Sequence, residues 1–476
     1  MLVTDYFVIA FLVTQALFLL AAYIFAFSGV DDLFVDIFYY IRCAGTIGPW
    51  ANINEMDLLK KLGTPEELPM AIMIPAWDEA DIIRPSVSRI INVLTYSEYD
   101  IFIGVYPNDL ETQSEVEHLR LKHKNVHRVI TSSSGPTCKA DCLNDIVSHI
   151  FDYEKKTGKL YHGFIMQDAE DIIQPNCLHL FNAALTKYDA VQLPVLSLPR
   201  TNKSPTAGHY MDEFAEYHSK EVLVRSIITG TVAGAGVGTG YSRRTLEKAV
   251  EIQGSTFNVG TLTEDYDLAM RLHRQKVNHT FLWVKSKETS DYSPFHVTQE
   301  FFPSDLWQSI RQKTRWTIGI GFQGWQQLGW KGNLADKYFF WRDRKMIFFS
   351  HAIFVGYLAM FLYGALWLYH ILFPFGYQIP ALLDENSPFW IIIWFNIFLF
   401  FHRLIQRHIW TGYHYGWKYL PPVTYRYILS IIINYVAMCR ATITWLKHRI
   451  NKKVIGWDKT AHDFPDEYND QGRAKL

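Results

Sequence analysis

The chain has 476 residues, more than one ordinary core holds, so two or more structural units are expected. A formal net charge of −1 at pH 7 removes any global electrostatic case for a nucleic-acid partner. The cysteines Cys43, Cys138, Cys142, Cys177 and Cys439 form no CxxC pair and no zinc pattern, which reads as reduced thiols in a cytoplasmic compartment.

In chain order, the first element is an uncharged run from Phe7 to Phe27, long enough for one transmembrane helix. Asp5 precedes it and Asp31-Asp32 follow it. A cleaved signal peptide would carry a basic start and a small-residue cleavage site, so this run is expected to stay. Residues 1–45 are therefore taken as a membrane helix with an interfacial stretch.

A cytoplasmic domain is expected over 46–300. Pro69–Pro75 is a strand, and Ile82, Ile83, Val87, Ile90, Ile91 and Leu94 give Glu79–Leu94 helical spacing. Asp100–Tyr106 is the next strand, Glu111–Lys124 a helix and Val126–Thr131 a strand. Thr137–Lys156 is a helix, followed by a strand ending at Asp168 and another at Ala190–Val195. This alternation predicts an α/β fold: a mainly parallel sheet with helices on both faces. Ligands of such sheets bind at the C-terminal strand ends.

Four successive strand ends carry polar clusters: Ala76-Trp77-Asp78-Glu79, Pro107-Asn108-Asp109, Gly135–Asn144 and Asp168-Ala169-Glu170-Asp171. Each alone passes as a turn or a cap; Asp78, Asp109 and Thr137 stand where N-caps stand. Four in register predict one polar rim. In the last of them, three carboxylates end an apolar run, and an unpaired buried carboxylate is costly. Asp168 and Glu170, two apart, point the same way in an extended segment and could share Mg²⁺ or Mn²⁺.

Further on, Thr263 is placed as the N-cap of a helix whose first turn holds Glu264, Asp265 and Asp267. The glycine-rich Gly234–Gly240 would let backbone approach a ligand, although its spacing is not that of a P-loop. Residues 301–345 are expected to form interfacial helices. One of them starts at the cap Ser304 and carries Gln312-Lys313-Thr314-Arg315-Trp316, with Arg311, Lys313 and Arg315 as a basic surface and Trp307 and Trp316 as anchors.

In 346–446, Met346 to about Phe373 and Asn386–His402 are expected to span. The uncharged Tyr427–Cys439 is too short to cross and is expected to lie in the interface. The loop Pro374–Pro388 has no Lys or Arg, whereas Arg342, Arg344, Lys345, Arg403, Arg407 and Lys418 flank the spans. The positive-inside rule puts those flanks, the central domain and the basic tail 447–476 in the cytoplasm.

Asp109, DAED at 168–171, TED at 263–265 and QxxRW at 312–316 together resemble membrane-embedded family 2 glycosyltransferases with the GT-A nucleotide-sugar fold. The resemblance covers about residues 69 to 320. The wider pattern is similar to the phage adsorption protein B type, an inner-membrane glycosyltransferase of exopolysaccharide export, through PAWDE, YPND, GPTCKADCLN, AGVGT, LTEDYD, FFWRDRK at 339–345 and WDKTAHDFP at 457–465. The resemblance implies that Asp109 and Glu79 hold the nucleotide base, with Lys139 and Asp141 facing the nucleotide and its phosphates. Asp168 and Glu170, or Asp171 in place of the latter, would hold the metal and diphosphate. Asp265, beside Glu264, would be the general base, and Gln312, Arg315 and Trp316 would border the acceptor. Trp457, Lys459 and Thr460 would reach the pyrophosphate.

It further implies a UDP-sugar donor, a growing exported polysaccharide as acceptor, and an outer-membrane export partner. Relatives of this type continue into a cyclic-di-GMP-linked domain, so any such sensor is expected on another chain. The competing expectations are single transfer to a polyprenyl phosphate and a non-catalytic membrane scaffold for phage adsorption.

Overall fold

The computed structural model describes residues 3–42, 55–63, 66–200, 204–290, 293–451 and 464–465, without the side chains of 3–4 and 287–294. Helix α1 (Val3–Arg42) leads through α2 (Glu55–Leu62) into β1 (Met70–Pro75). Next come α3 (Ala80–Val93), β2 (Tyr99–Val105), α4 (Leu110–Lys122), β3 (Val126–Ile130), α5 (Lys139–Thr157) and β4 (Gly163–Met166). Every residue of β2 and β4, and all but Pro75 of β1, is buried, as expected for strands covered on both faces. The pleat divides them. Ile72, Ile74, Ile101, Ile103 and Ile165 face α3 through Ile83, Val87 and Ile90. Ala71, Met73, Phe102, Phe164 and Met166 face α5 through Cys142, Leu143, Ile146 and Ile150.

The chain continues through α6 (Cys177–Leu185), β5 (Ala190–Gln192), β6 (Val195–Ser197) and α7 (Pro205–Glu216). A π-helical turn, Tyr217–Glu221, joins α7 to α8 (Val222–Thr229). Then follow β7 (Thr239–Ser242), α9 (Arg243–Gln253), α10 (Glu264–Arg274), β8 (His279–Phe281), β9 (Lys285–Ser290), β10 (Ser293–Phe295) and β11 (Thr298–Glu300). Seven strands form one sheet in the order β3-β2-β1-β4-β7-β5-β8. Only β7 runs antiparallel to its neighbours, β4 and β5; the other pairs are parallel. Outside this sheet, β11 pairs in parallel with β6, and β9 pairs with β10.

The C-terminal third holds α11 (Leu306–Trp316), a π-helical turn (Thr317–Gln323), α12 (Gly324–Leu328), α13 (Leu334–Arg344), α14 (Met346–Phe349), α15 (His351–Leu372), α16 (Trp390–Tyr415) and α17 (Val423–Asn451). Among the described residues three helical stretches are long and apolar enough to cross a membrane: Asp5–Arg42, Leu334–Leu372 and Val423–Asn451. Two expectations change here. The helix that holds most of Asn386–His402 starts at Trp390, runs on through Arg403, Arg407 and His414, and is not among those three stretches. The segment expected to be a short interfacial piece lies in the 29-residue α17, because Arg426 does not end the helix but turns inward to Asp212. The large apolar side chains that α17 leaves exposed, Tyr425, Ile428, Ile432, Ile443, Leu446 and Ile450, recur at helical spacing on one side.

At 40 residues α1 is about 60 Å long, roughly twice a hydrocarbon core. Its apolar first half packs on α15 and α16; Asn396 donates its side-chain amide to the Ala22 carbonyl at 2.9 Å. Its second half is charged and clamped to the catalytic side. Asp31 accepts from Arg342 at 2.5 Å and from Lys345 at 2.8 Å. Lys220, fully buried on the π-helical turn, pairs with Asp36 and Glu216. Glu216 is also paired with Arg403 at 2.8 Å and with Arg407 at 2.9 Å.

Candidate active site

The C-terminal ends of β1, β2 and β4 and the loop after β3 form one continuous rim. Asp109 caps α4, accepting from the Thr112 amide at 3.2 Å, and its other oxygen accepts from the Asp78 amide at 2.6 Å. Asp78 takes a positive φ of 56° to make that bond. The expected caps Asp78 and Thr137 give way to Glu79 and Cys138, neither of which makes a side-chain cap bond. Glu79 is buried and donates its backbone N–H to the Thr112 hydroxyl at 3.0 Å. Asn108 exchanges two bonds with Gly135, at 2.7 and 2.8 Å, and Trp77 stands edge-on to Tyr106 at 5.0 Å. Three loops are thus knitted together where the base of a nucleotide was expected. Asp141, in the first turn of α5, is half-buried beside Cys138 and Tyr106.

The chemical centre lies around Lys139. Its ammonium pairs with Asp168 and donates to the Gly236 carbonyl at 3.0 Å. Burial opposes its charge, but Asp168, Glu264 and Asp265 together hold its pKa above the ordinary lysine value. The Asp265 carboxyl is pushed up to about 7, first by burial and then by Glu264. Burial also raises Glu264. Asp168, which pairs with Lys139, and Asp265, far apart in sequence, therefore both act on one cation.

The glycine-rich loop is shaped by this meeting. A Cβ on Gly234 would stand 2.6 Å from the Asp265 carbonyl oxygen. Gly236 has φ +79°, and a Cβ there would lie 3.2 Å from Asp265 Oδ2 and 3.5 Å from Lys139 Nζ. Gln192 props the loop from beneath, donating to the Val237 carbonyl at 2.8 Å and accepting from the Ala235 amide at 3.2 Å. Gly236→Ala is expected to cost roughly 1–2 kcal/mol in the left-handed conformation. A methyl pushed between the Asp265 carboxylate and the Lys139 ammonium is expected to slow any reaction that uses both by roughly ten-fold or more. Thermal melting together with donor turnover in membranes checks both.

The acidic turn is more enclosed than its sequence suggested. Glu170 and Asp171 are buried, and Asp171 Oδ2 accepts from the Asp168 amide at 2.7 Å. Burial, then Asp168 and Glu170, push the Asp171 carboxyl well above the usual range. Among the described residues no three His, Cys, Asp or Glu side chains are arranged as a ready metal cluster, and Asp168 is engaged with Lys139. The donor set nonetheless suits a hard divalent cation. Its carboxylates outnumber the nearby cations, and Asp171 Oδ1 is buried with no hydrogen-bond partner.

Helix α10 opens at Thr263, but that side chain makes no cap bond; its hydroxyl is buried against Gly319 of the second π-helical turn. The cap of α11 is Asp305, not Ser304, and accepts from the Gln308 amide at 2.8 Å. Gln312 is buried with its Oε1 unpartnered, and the charge of Arg315 acts on Glu264. Trp316 joins Tyr210, Phe214 and Phe302, with ring centroids 6.1 to 6.4 Å away. Lys313, expected on a basic surface, is buried against Glu213 at 2.5 Å and Asn434 at 2.9 Å. Trp457, Lys459 and Thr460 lie outside the described residues. Sequence reasoning passed over Gln192, whose only signal is a polar residue in an apolar strand, and Glu300, which ends a three-residue strand.

A mainly parallel sheet with one reversed strand and an acidic turn at its centre is a GT-A-like arrangement. The glycosyl transferase family group 2 profile matches residues 163–376. It is 35% identical over 463 residues to bacteriophage adsorption protein B of Escherichia coli K12, and equally to the bacteriophage N4 adsorption protein B of Escherichia coli O157:H7. Those alignments cover 94% of this chain and 62% of each relative, so the chain spans under two thirds of their length. A mannosyltransferase of Pyrobaculum calidifontis, solved with GDP-Man and Mn²⁺, shares the fold at a TM-score of 0.53 and 13% identity, covering 83% of this chain and 98% of that one.

Proposed function

We propose that the chain is an inverting glycosyltransferase that moves a sugar from a nucleotide diphosphate, a UDP-hexose or UDP-hexosamine, to a growing exported polysaccharide. It works at the cytoplasmic face of the bacterial inner membrane. The observation that carries this reading is that Asp168 pairs with Lys139 while Asp265 Oδ2 and the same ammonium both lie against Gly236, with Arg315 acting on the adjacent Glu264. Asp265 takes the proton of the acceptor hydroxyl as that oxygen attacks the anomeric carbon and the diphosphate leaves from the opposite face. Asp168 and Glu170, with Asp171 adjoining, would hold Mg²⁺ or Mn²⁺, which when bound neutralises charge on the departing diphosphate. Lys139 and Arg315 add fixed positive charge for the same group. Asp109 and Glu79 shape the loops that receive the base. Gln312 offers its buried Oε1 to the acceptor side. Lys459 and Thr460, outside the described residues, would reach the pyrophosphate. An outer-membrane export partner would receive the product.

Membranes bearing the protein, incubated with a panel of UDP-sugars and with GDP-mannose plus Mn²⁺ or Mg²⁺, are expected to release nucleotide diphosphate from one donor. GDP-mannose belongs in the panel because the solved neighbour holds GDP-Man. No release from any donor, with Asp265→Asn behaving like the parent, would favour a scaffold in phage adsorption.

A further inference from the structure

Strand β11 comes to the acidic turn from more than a hundred residues downstream. Its Gln299 exchanges both backbone bonds with Ile172, the residue after Asp171, at 2.7 and 3.0 Å. The strand is held on its other edge by β6, where the Leu198 amide donates to the Glu300 carbonyl at 2.8 Å. Its position is therefore fixed by backbone on both sides. Alternate residues of a strand share a face, so Thr298 and Glu300 point the same way. Thr298 identifies that face, because its hydroxyl packs against Gly238 of the loop that lies against Asp265 and Lys139. The Thr298 Oγ1 is buried there without a partner. Glu300, one pleat further on that face, comes opposite Asp171 across the antiparallel bridge of Gln299 to Ile172, and Asp171 Oδ1 is buried without a partner.

We propose that Glu300 is a further carboxylate of the donor site, completing with the 168–171 turn the oxygen set that holds the divalent cation. This rests on the glycosyltransferase reading and adds to it a residue that none of the four recognised motifs contains. The electrostatics agree. Burial first, then Glu170, Asp171 and Asp168, hold the Glu300 carboxyl well above the usual range, while Lys139 works the other way. Four carboxylates facing one ammonium leave an excess that a divalent cation relieves. A purely structural account would have Glu300 anchor β11, but the bonds that hold that strand to β6 and Ile172 are made by backbone atoms, which any residue supplies.

The test uses the full chain in detergent or nanodiscs and reads Mn²⁺ directly, by the loss of the free-ion paramagnetic resonance signal in the presence of UDP. Glu300→Gln keeps the shape and removes the charge. It is expected to weaken Mn²⁺ binding roughly ten-fold or more, the range found when supporting carboxylates of metal sites are removed. Donor KM should rise at low Mn²⁺ and recover at saturating Mn²⁺. Glu300→Asp, which keeps the charge on a shorter arm, should fall between the two and serves if the Gln variant does not fold. Parent-like Mn²⁺ binding in a folded Glu300→Gln overturns the assignment while leaving the proposed transfer reaction standing. A parent that binds no Mn²⁺ with UDP overturns the assignment and the metal part of that reaction together.

Discussion

Asp265→Asn is expected to lose transfer by roughly 10²- to 10⁴-fold while still binding the nucleotide diphosphate, since a positioned general base contributes about that much. The substitution keeps size and hydrogen-bonding capacity, so α10 and the glycine-rich loop should hold their places. The parent should show a pH profile set by the same group. With its carboxyl pushed up to about 7, Asp265 is protonated and idle below neutrality, so kcat should climb as pH rises through about 7 and level off above it. The Asn variant should have no such step. The stability sign runs the other way. Because the folded pKa is raised above the unfolded one, ionising Asp265 costs folding free energy as pH rises past the unfolded value and through about 7. At pH 8 the Asn variant should therefore melt no lower than the parent. A variant that keeps parental turnover, or a parent whose profile is flat from pH 6 to 8, would remove Asp265 from the reaction.

The rim was legible because its signal is local. An apolar strand that stops at a carboxylate can be read from a few adjacent residues, and Asp109, Lys139 and Asp168 all follow such strands. The parallel sheet was legible for the same reason, since its buried strands are near-continuous apolar runs. What stayed hidden depends on pairing across long sequence distances. Glu300 reaches the acidic turn only because backbone atoms of Gln299 meet Ile172. Lys313 looks solvated until Glu213 and Asn434 are brought around it. The caps failed where tertiary contacts outbid local propensity: the Thr263 hydroxyl is turned to Gly319 instead of to its own helix. The length of α17 stayed hidden for a related reason: a hydropathy count treats Arg426 as facing water, whereas it is buried against Asp212.

Arg426 is the sharpest case, and breaking its pair is expected to give the largest loss of stability. Its guanidinium grips Asp212 of α7 with two bonds, at 2.7 and 2.8 Å, and also donates to the Tyr419 carbonyl at 2.8 Å. Thr411 of α16 donates to the same carboxylate at 2.9 Å. Both charged side chains are 3% exposed, so neither has water to fall back on. Burial alone pushes the Asp212 carboxyl up to about 6 in spite of Arg426 and Arg407. That balance means the pair does not repay its full desolvation, yet a lone partner would be worse off still. Arg426→Met should accordingly cost about 3–5 kcal/mol, seen as an early thermal transition of the protein in detergent. Asp212→Leu combined with Arg426→Met should recover most of that loss, because no uncompensated charge remains. If the double variant is as unstable as Arg426→Met, the pair stabilises by its own attraction. If Arg426→Met melts like the parent, α17 is not pinned to α7 through this contact. The outcome bears on the active site directly, since α17 also touches Lys313, the neighbour of Gln312, so loosening α17 should disturb the acceptor side before the donor side.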